Sequence, residues 1–141
     1  MLYLPVTCMV LFHQGKLFAA QRSQGMELPG MWEFPGGKVE PREDPQACLV
    51  REIQEELAIG IELLLPLTPV KYCYPSKNIL LLPFLASWKS GKVLPQEHSQ
   101  VAWLEKGQLF QLAWAPADLP VVKEVDLRWE QFIKENVAEN G

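Results

Sequence analysis

Three glutamates, Glu52, Glu55 and Glu56, stand beside Arg51 in the stretch GKVEPREDPQACLVREIQEELAI, residues 37–59. At about 100° per residue, that spacing puts the three carboxylates within an arc of roughly 100° on one helix face. Leu49, Val50, Ile53 and Leu57 take the adjacent face, which is expected to be the core side. Like charges three and four residues apart cost an isolated helix roughly 0.2–0.5 kcal/mol per pair, so a helix built for stability alone would spread them. Gathered carboxylates want a cation.

Ligand chemistry narrows that cation. Oxygen donors with no His or Cys spaced among them form a hard site, suited to Mg²⁺ or Mn²⁺ rather than zinc. Magnesium keeps several waters and binds through a few carboxylates together with substrate phosphates, so a phosphorylated substrate is implied by the metal itself. The loop Pro35-Gly36-Gly37-Lys38 agrees, because glycine lets backbone approach a ligand closely and Lys38 adds a cation within reach of phosphate. Glutamate-rich helix faces are usually solvated surface carrying weak ion pairs. The full pattern is more demanding: Gly37, Glu43, Arg51, Glu52, Glu55 and Glu56 fix six residues at set spacing. A chance match is about one in ten million per starting position, which favours the metal-site reading.

The stretch resembles the Nudix box. That pattern is Gly, five residues, Glu, seven residues, Arg-Glu, an aliphatic residue, any residue, Glu-Glu, any residue, Gly and an aliphatic residue. Gly37, Glu43, Arg51, Glu52, Ile53, Glu55, Glu56 and Ile59 match, and Ala58 stands where the family has glycine. That glycine ends the helix in a left-handed conformation, which costs another residue roughly 1–2 kcal/mol. Gly60 is the expected substitute, should the helix run slightly longer. Outside the box, Gln21-Arg22, the run from Trp32 to Glu40 and Ala115-Pro116-Ala117-Asp118-Leu119-Pro120 resemble the MutT branch and its CTP pyrophosphohydrolase relatives.

Composition sets wider bounds. The 141 residues suit a single domain, residues 1–141, with one core and no need of staples. Apolar residues make up 48%, which excludes global disorder. The net charge of −4, with scattered basic residues, argues against a nucleic-acid polymer or an anionic membrane as partner. Cys8, Cys48 and Cys73, odd in number and set among apolar residues, read as buried thiols of a reducing compartment rather than disulfides or a zinc site. The start is apolar but lacks a basic n-region and carries Pro5, so it reads as a hairpin and not a signal peptide. No run is long enough to span a bilayer, and a cytoplasmic location is expected.

The elements that must carry these residues follow from periodicity and turn chemistry. Strands are expected near residues 6–12, 17–21, 32–34, 61–71, 79–88 and 101–104, with a loop over 22–31 and turns at 13–16, 74–78 and 90–91. Pro83 suggests an edge strand or a bulge. Pro45 suits the first turn of the acidic helix, which is expected to end near Leu57. Val121, Val122, Val125, Trp129, Phe132 and Ile133 suggest one second long helix over 119–137. The result is an α/β chain with a mixed β-sheet between helices, and the Nudix resemblance implies an α/β/α sandwich.

The resemblance also implies an activity: Mg²⁺-dependent hydrolysis of nucleoside diphosphates linked to another group. On that reading Glu52, Glu55 and Glu56 hold Mg²⁺, joined by a carbonyl of Gly36 or Gly37 and by Glu97 beyond the box. Glu52 orients or deprotonates the attacking water or is simply another ligand, and Arg51 with Glu43 supports the loop. Arg22 and the segment Glu33, Phe34, Pro35 and Gly36 contact nucleotide, with Lys38 near phosphate. Cys48 is read as packing under the loop and His98 as a surface histidine. Asp118 has two readings: it caps the last helix, or it reads the base. Trp32, Phe34, Tyr74 and Lys77 either line the pocket or belong to the core.

The leading expectation is a MutT-like nucleoside triphosphate pyrophosphohydrolase, with oxidised dGTP and CTP-type nucleotides as candidates. Its rivals are a hydrolase of dinucleoside polyphosphates or nucleotide sugars and a non-catalytic nucleotide-binding module.

Overall fold

A computed structural model describes residues 2–140 of the chain. Strand β1 (Leu4–His13) turns through Gln14 and Gly15, both at positive φ, into β2 (Lys16–Gln21). That backbone is the one a tight two-residue hairpin needs. Short strands β3 (Trp32–Glu33) and β4 (Gly36–Lys38) lead into helix α1 (Pro45–Leu57). Strands β5 (Ile59–Pro66), β6 (Val70–Cys73), β7 (Asn78–Gly91) and β8 (Gln100–Leu104) follow. A 3-10 turn at Lys106–Gln111 precedes helices α2 (Leu119–Leu127) and α3 (Trp129–Asn140).

The sheet is mixed, as expected. β1 runs parallel to β7 and antiparallel to β2 and β4, and β8 joins on the far side of β2. Alternation along β1 explains why its run from Thr7 to Phe12 is buried throughout: Cys8, Val10 and Phe12 face one core, Met9 and Leu11 the other. The first core is closed by Val121, Val122 and Val125 of α2 with Trp129 and Phe132 of α3, and the second by Leu49, Ile53 and Leu57 of α1. Helices on both faces of a mixed sheet make the α/β/α sandwich.

Several expectations need correction. The run 61–71 is two strands, and both pair with β7. Pro83 is not at an edge, since β7 is central, but it does sit at an irregularity: between the pairs Pro66–Phe84 and Val70–Leu81 the facing chain carries one extra residue. Its carbonyl accepts from the Leu67 N–H (2.9 Å), in the gap between the β5 and β6 pairings, so its missing N–H interrupts no ladder. The last helix is broken at Arg128, whose φ of −108° and ψ of 18° leave helical geometry, although no glycine or proline marks the place. Val50, expected on the core side, is 39% exposed, and Cys73 is exposed rather than buried. Ala58 itself adopts the left-handed conformation (φ 62°, ψ 28°) that ends α1, while Gly60 lies in β5, so no substitute glycine is used. Among the described residues, no helix is long and apolar enough to cross a membrane.

Candidate active site

Helix α1 starts where its sequence allows. The Asp44 carboxylate accepts from the Ala47 N–H at 3.0 Å, and Pro45 occupies the first turn. The loop before it is fastened to the helix by a forked ion pair. Arg51 Nε reaches Glu43 Oε2 at 2.9 Å, and its Nη2 reaches Glu43 Oε1 at 3.0 Å. The Arg51 guanidinium holds the Glu43 carboxyl down to about 2, helped by the Glu40 N–H, and the Arg51 pKa is raised in turn. Beneath the loop, the Cys48 thiol donates to the Lys38 carbonyl (3.2 Å) and the Thr7 hydroxyl to that of Gly37 (3.2 Å), so Cys48 packs under the loop as expected.

Arg51 Nη1 also meets Glu52 at 3.0 Å and Glu55 at 3.5 Å. Burial raises the Glu52 pKa against the lowering influence of Arg51. Glu56 has no such partner among the described residues. Burial first, then the charges of Glu97, Glu33, Glu52 and Glu55, push it up to about 9. Its Oε2 is buried without a hydrogen-bond partner among the described residues. Glu97 is exposed, but its loop is brought to α1 by a bond from the Gln96 N–H to the Glu56 main-chain carbonyl at 2.9 Å. No three acidic, histidine or cysteine side chains among the described residues already converge as a finished metal cage. An orphaned carboxylate oxygen amid four other carboxylates is nevertheless what an all-oxygen site for a hard, partly hydrated divalent ion would supply. The donor set fits Mg²⁺ or Mn²⁺.

Glu56 also borders a cavity of about 400 Å³. Arg22, Glu33, Phe34, Gly36, Lys38 and Asp118 line it as well, so most of the candidate nucleotide residues are brought together. Arg22 Nη1 lies 2.6 Å from Glu33 Oε1, and its Nε donates to the Glu27 carbonyl. Tyr74 and Lys77 belong to the lining, and Phe34, 3% exposed, serves both cavity and core. Trp32 and Pro35 are not in the lining. The Pro35 carbonyl accepts from the Met9 N–H at 2.8 Å, which ties this stretch to β1.

Asp118 does not cap α2 through its side chain. Its backbone is already helical (φ −80°, ψ −23°), and its carboxylate instead accepts from the Phe34 N–H at 2.8 Å. Main-chain bonds between Trp32 and both Ala113 and Ala115 dock the preceding segment beside β3 and so aim Asp118 into the cavity. Burial, and then the Glu33 charge, push its carboxyl up to about 8. His98 overturns its surface reading: it is 7% exposed, with Nε2 2.7 Å from Glu33 Oε2. Sequence reasoning also missed Thr7 and Cys8, which form part of the cavity wall. Alternation along β1 gives no signal for this, since it sends these neighbours to opposite faces and only the tertiary arrangement brings both to the cavity.

A family model described as NUDIX domain matches residues 2–125. The chain belongs to the Nudix family. As a Nudix protein it is a hydrolase acting on phosphoric anhydride bonds. It is 33% identical over 124 residues to the CTP pyrophosphohydrolase of Escherichia coli, covering 84% of this chain and 87% of that protein. It is 41% identical over 75 residues to the 8-oxo-dGTP diphosphatase of Proteus vulgaris, covering 52% of this chain and 67% of that one. Among solved structures, that of the E. coli ORF135 protein superposes with a TM-score of 0.75 at 30% identity, covering 87% and 88% of the two chains.

Proposed function

We propose that this Nudix chain is a Mg²⁺-dependent nucleoside triphosphate pyrophosphohydrolase. The observation that carries this reading is the double position of Glu56, an unpartnered carboxylate that belongs both to the acidic face of α1 and to the cavity wall. A substrate seated in the cavity with its base toward Asp118 would direct its phosphates to Gly36, Lys38 and Glu56. Water then adds at the α or β phosphorus, the bond to the bridging oxygen breaks, and a nucleoside monophosphate and pyrophosphate leave.

Glu52, Glu55 and Glu56 would hold the metal, with Glu97 and a Gly36 or Gly37 carbonyl as further donors. When bound, the ion supplies charge neutralisation on the bridging phosphates and a more acidic water. The chain's own part is positioning. Arg51 keeps Glu52 and the Glu43 loop in place, Lys38 offsets phosphate charge, and Glu52 orients the attacking water or accepts its proton. Arg22, fixed by Glu33, faces the nucleotide. CTP-type nucleotides and oxidised dGTP are the substrates favoured by the two relatives named above.

The test is pyrophosphate release from a panel containing CTP, dCTP, dGTP and 8-oxo-dGTP, with and without Mg²⁺. Turnover of at least one, lost by roughly 100- to 1,000-fold in Glu56→Gln, is expected from removing one charge-organising group. Binding without turnover of any nucleotide, including dinucleoside polyphosphates and nucleotide sugars, points instead to a binding module.

A further inference from the structure

The His98 side chain has no accessible surface, yet it is neither on the acidic helix nor in the cavity lining. Its Nε2 stands 2.7 Å from Glu33 Oε2, and the other oxygen of the same carboxylate stands 2.6 Å from Arg22 Nη1. A carboxylate only accepts, so Nε2 carries the proton. Nδ1 is buried and without a partner among the described residues. Leaving a buried polar atom unpaired costs free energy, and a leucine would fill similar space without that cost. What the position keeps by being histidine is the single bond to Glu33.

The backbone around His98 links the two halves of the site. Gln96 bonds the carbonyl of Glu56 on α1, and the Ser99 N–H bonds the carbonyl of Gln21 at 3.0 Å, next to Arg22. Glu97 and His98 are therefore neighbours on one strap. Glu97 acts on the box carboxylates, while His98 braces the cavity wall from behind.

We infer that His98 is a positioning residue, clamping the Glu33 carboxylate so that Arg22 is presented to the substrate at a fixed angle. The inference rests on the pyrophosphohydrolase reading for its kinetic consequence but not for its geometry. Loss of one hydrogen bond to a charged group should cost binding about tenfold.

The experiment compares His98→Leu, His98→Gln, Glu33→Gln and the double variant His98→Leu/Glu33→Gln, using CTP and 8-oxo-dGTP with Mg²⁺. His98→Leu is expected to raise KM about tenfold with kcat within about threefold, and His98→Gln, which keeps a donor, to recover most of the loss. Because His98 acts through Glu33, adding His98→Leu to Glu33→Gln should change KM by less than about twofold. Additive effects, an unchanged KM in a folded His98→Leu protein, or no recovery in His98→Gln overturns the inference. Should wild-type protein turn over neither nucleotide, the functional reading fails. The clamp is then decided by solvent exchange of the Arg22 guanidinium N–H in NMR spectra. Faster exchange in His98→Leu but not in His98→Gln sustains it, and equal exchange in all three proteins removes it.

Discussion

The side chain of Glu52 fills the space that a Cβ on Gly37 would need, so that such an atom would overlap its Cγ, Cδ and Oε2. One residue earlier the obstacle is different, because a Cβ on Gly36 would run into the Thr7 carbonyl and the Cys8 Cα of the paired strand β1. The two substitutions should therefore fail in different ways. Gly37→Ala pushes aside a flexible side chain, so the melting temperature should hold while turnover drops roughly 100-fold, the scale of a misplaced active-site group. Gly36→Ala must move backbone against backbone and should cost roughly 1–3 kcal/mol of stability, as overpacking does. Thermal melts and initial rates on both variants check this. Equal loss of stability in the two would show that Glu52 is not what Gly37 makes room for.

Ala58 holds a left-handed conformation at the end of α1, with its N–H bonded to the Gln54 carbonyl at 3.1 Å. The strain of an L-residue there is roughly 1–2 kcal/mol, partly offset by the greater unfolded-state freedom of glycine. Ala58→Gly should therefore stabilise the protein by about 0.5–1 kcal/mol and raise the melting temperature by roughly 2–3 °C, with kinetics unchanged. A lower melting temperature would mean that the Ala58 methyl makes contacts worth more than the strain.

Helix α1 is readable from sequence almost to the residue, because proline at its start, a 3.6-residue apolar stripe and the fixed box spacing all point the same way. The break at Arg128 is not. Val125 before the break and Trp129 and Phe132 after it all bury in one core, whereas the Arg128 contacts to Glu124 (2.6 Å) and to the Phe132 ring (4.6 Å from its centroid) are i,i+4 pairs that would suit an unbroken helix equally well. Nor could the burial of His98 be read, since its partner Glu33 is 65 residues away and meets it only once β2, β3 and β8 have paired. Asp118 shows a third case. Asp before Leu-Pro is good capping chemistry, yet the Phe34 N–H, left unpaired beside short β3, takes the carboxylate instead.

That placement makes Asp118 a source of pH-dependent stability. Its folded pKa of about 8 lies above its ordinary value of 3.8, so between those values the folded state binds more protons than the unfolded state. Stability from this group is complete below 3.8, declines as pH rises, and is lost above about 8. Asp118→Asn keeps an acceptor for Phe34 and carries no charge. Near pH 4 it should melt like the wild type, and by pH 8.5 it should melt roughly 10–20 °C higher. Melts of both proteins in chelator across that range measure it. Parallel curves would show that Asp118 ionises normally in the folded protein.

Glu56 should couple metal binding to proton release. Without metal its carboxyl is pushed up to about 9, so at pH 7.5 the folded protein carries a proton there. A divalent ion needs the ionised oxygen, and the proton must leave as the ion arrives. Calorimetric titration with Mg²⁺ at pH 7.5, repeated in buffers of different ionisation enthalpy, should then report about one proton released per ion. The apparent affinity should rise about tenfold for each pH unit between pH 6 and 8, because binding competes with a single protonation. Glu56→Gln should abolish the buffer dependence along with most of the affinity. Heats that are the same in every buffer, with tight binding retained at pH 6, would place the ion on carboxylates that are already ionised, and Glu56 would then be a neutral part of the cavity wall.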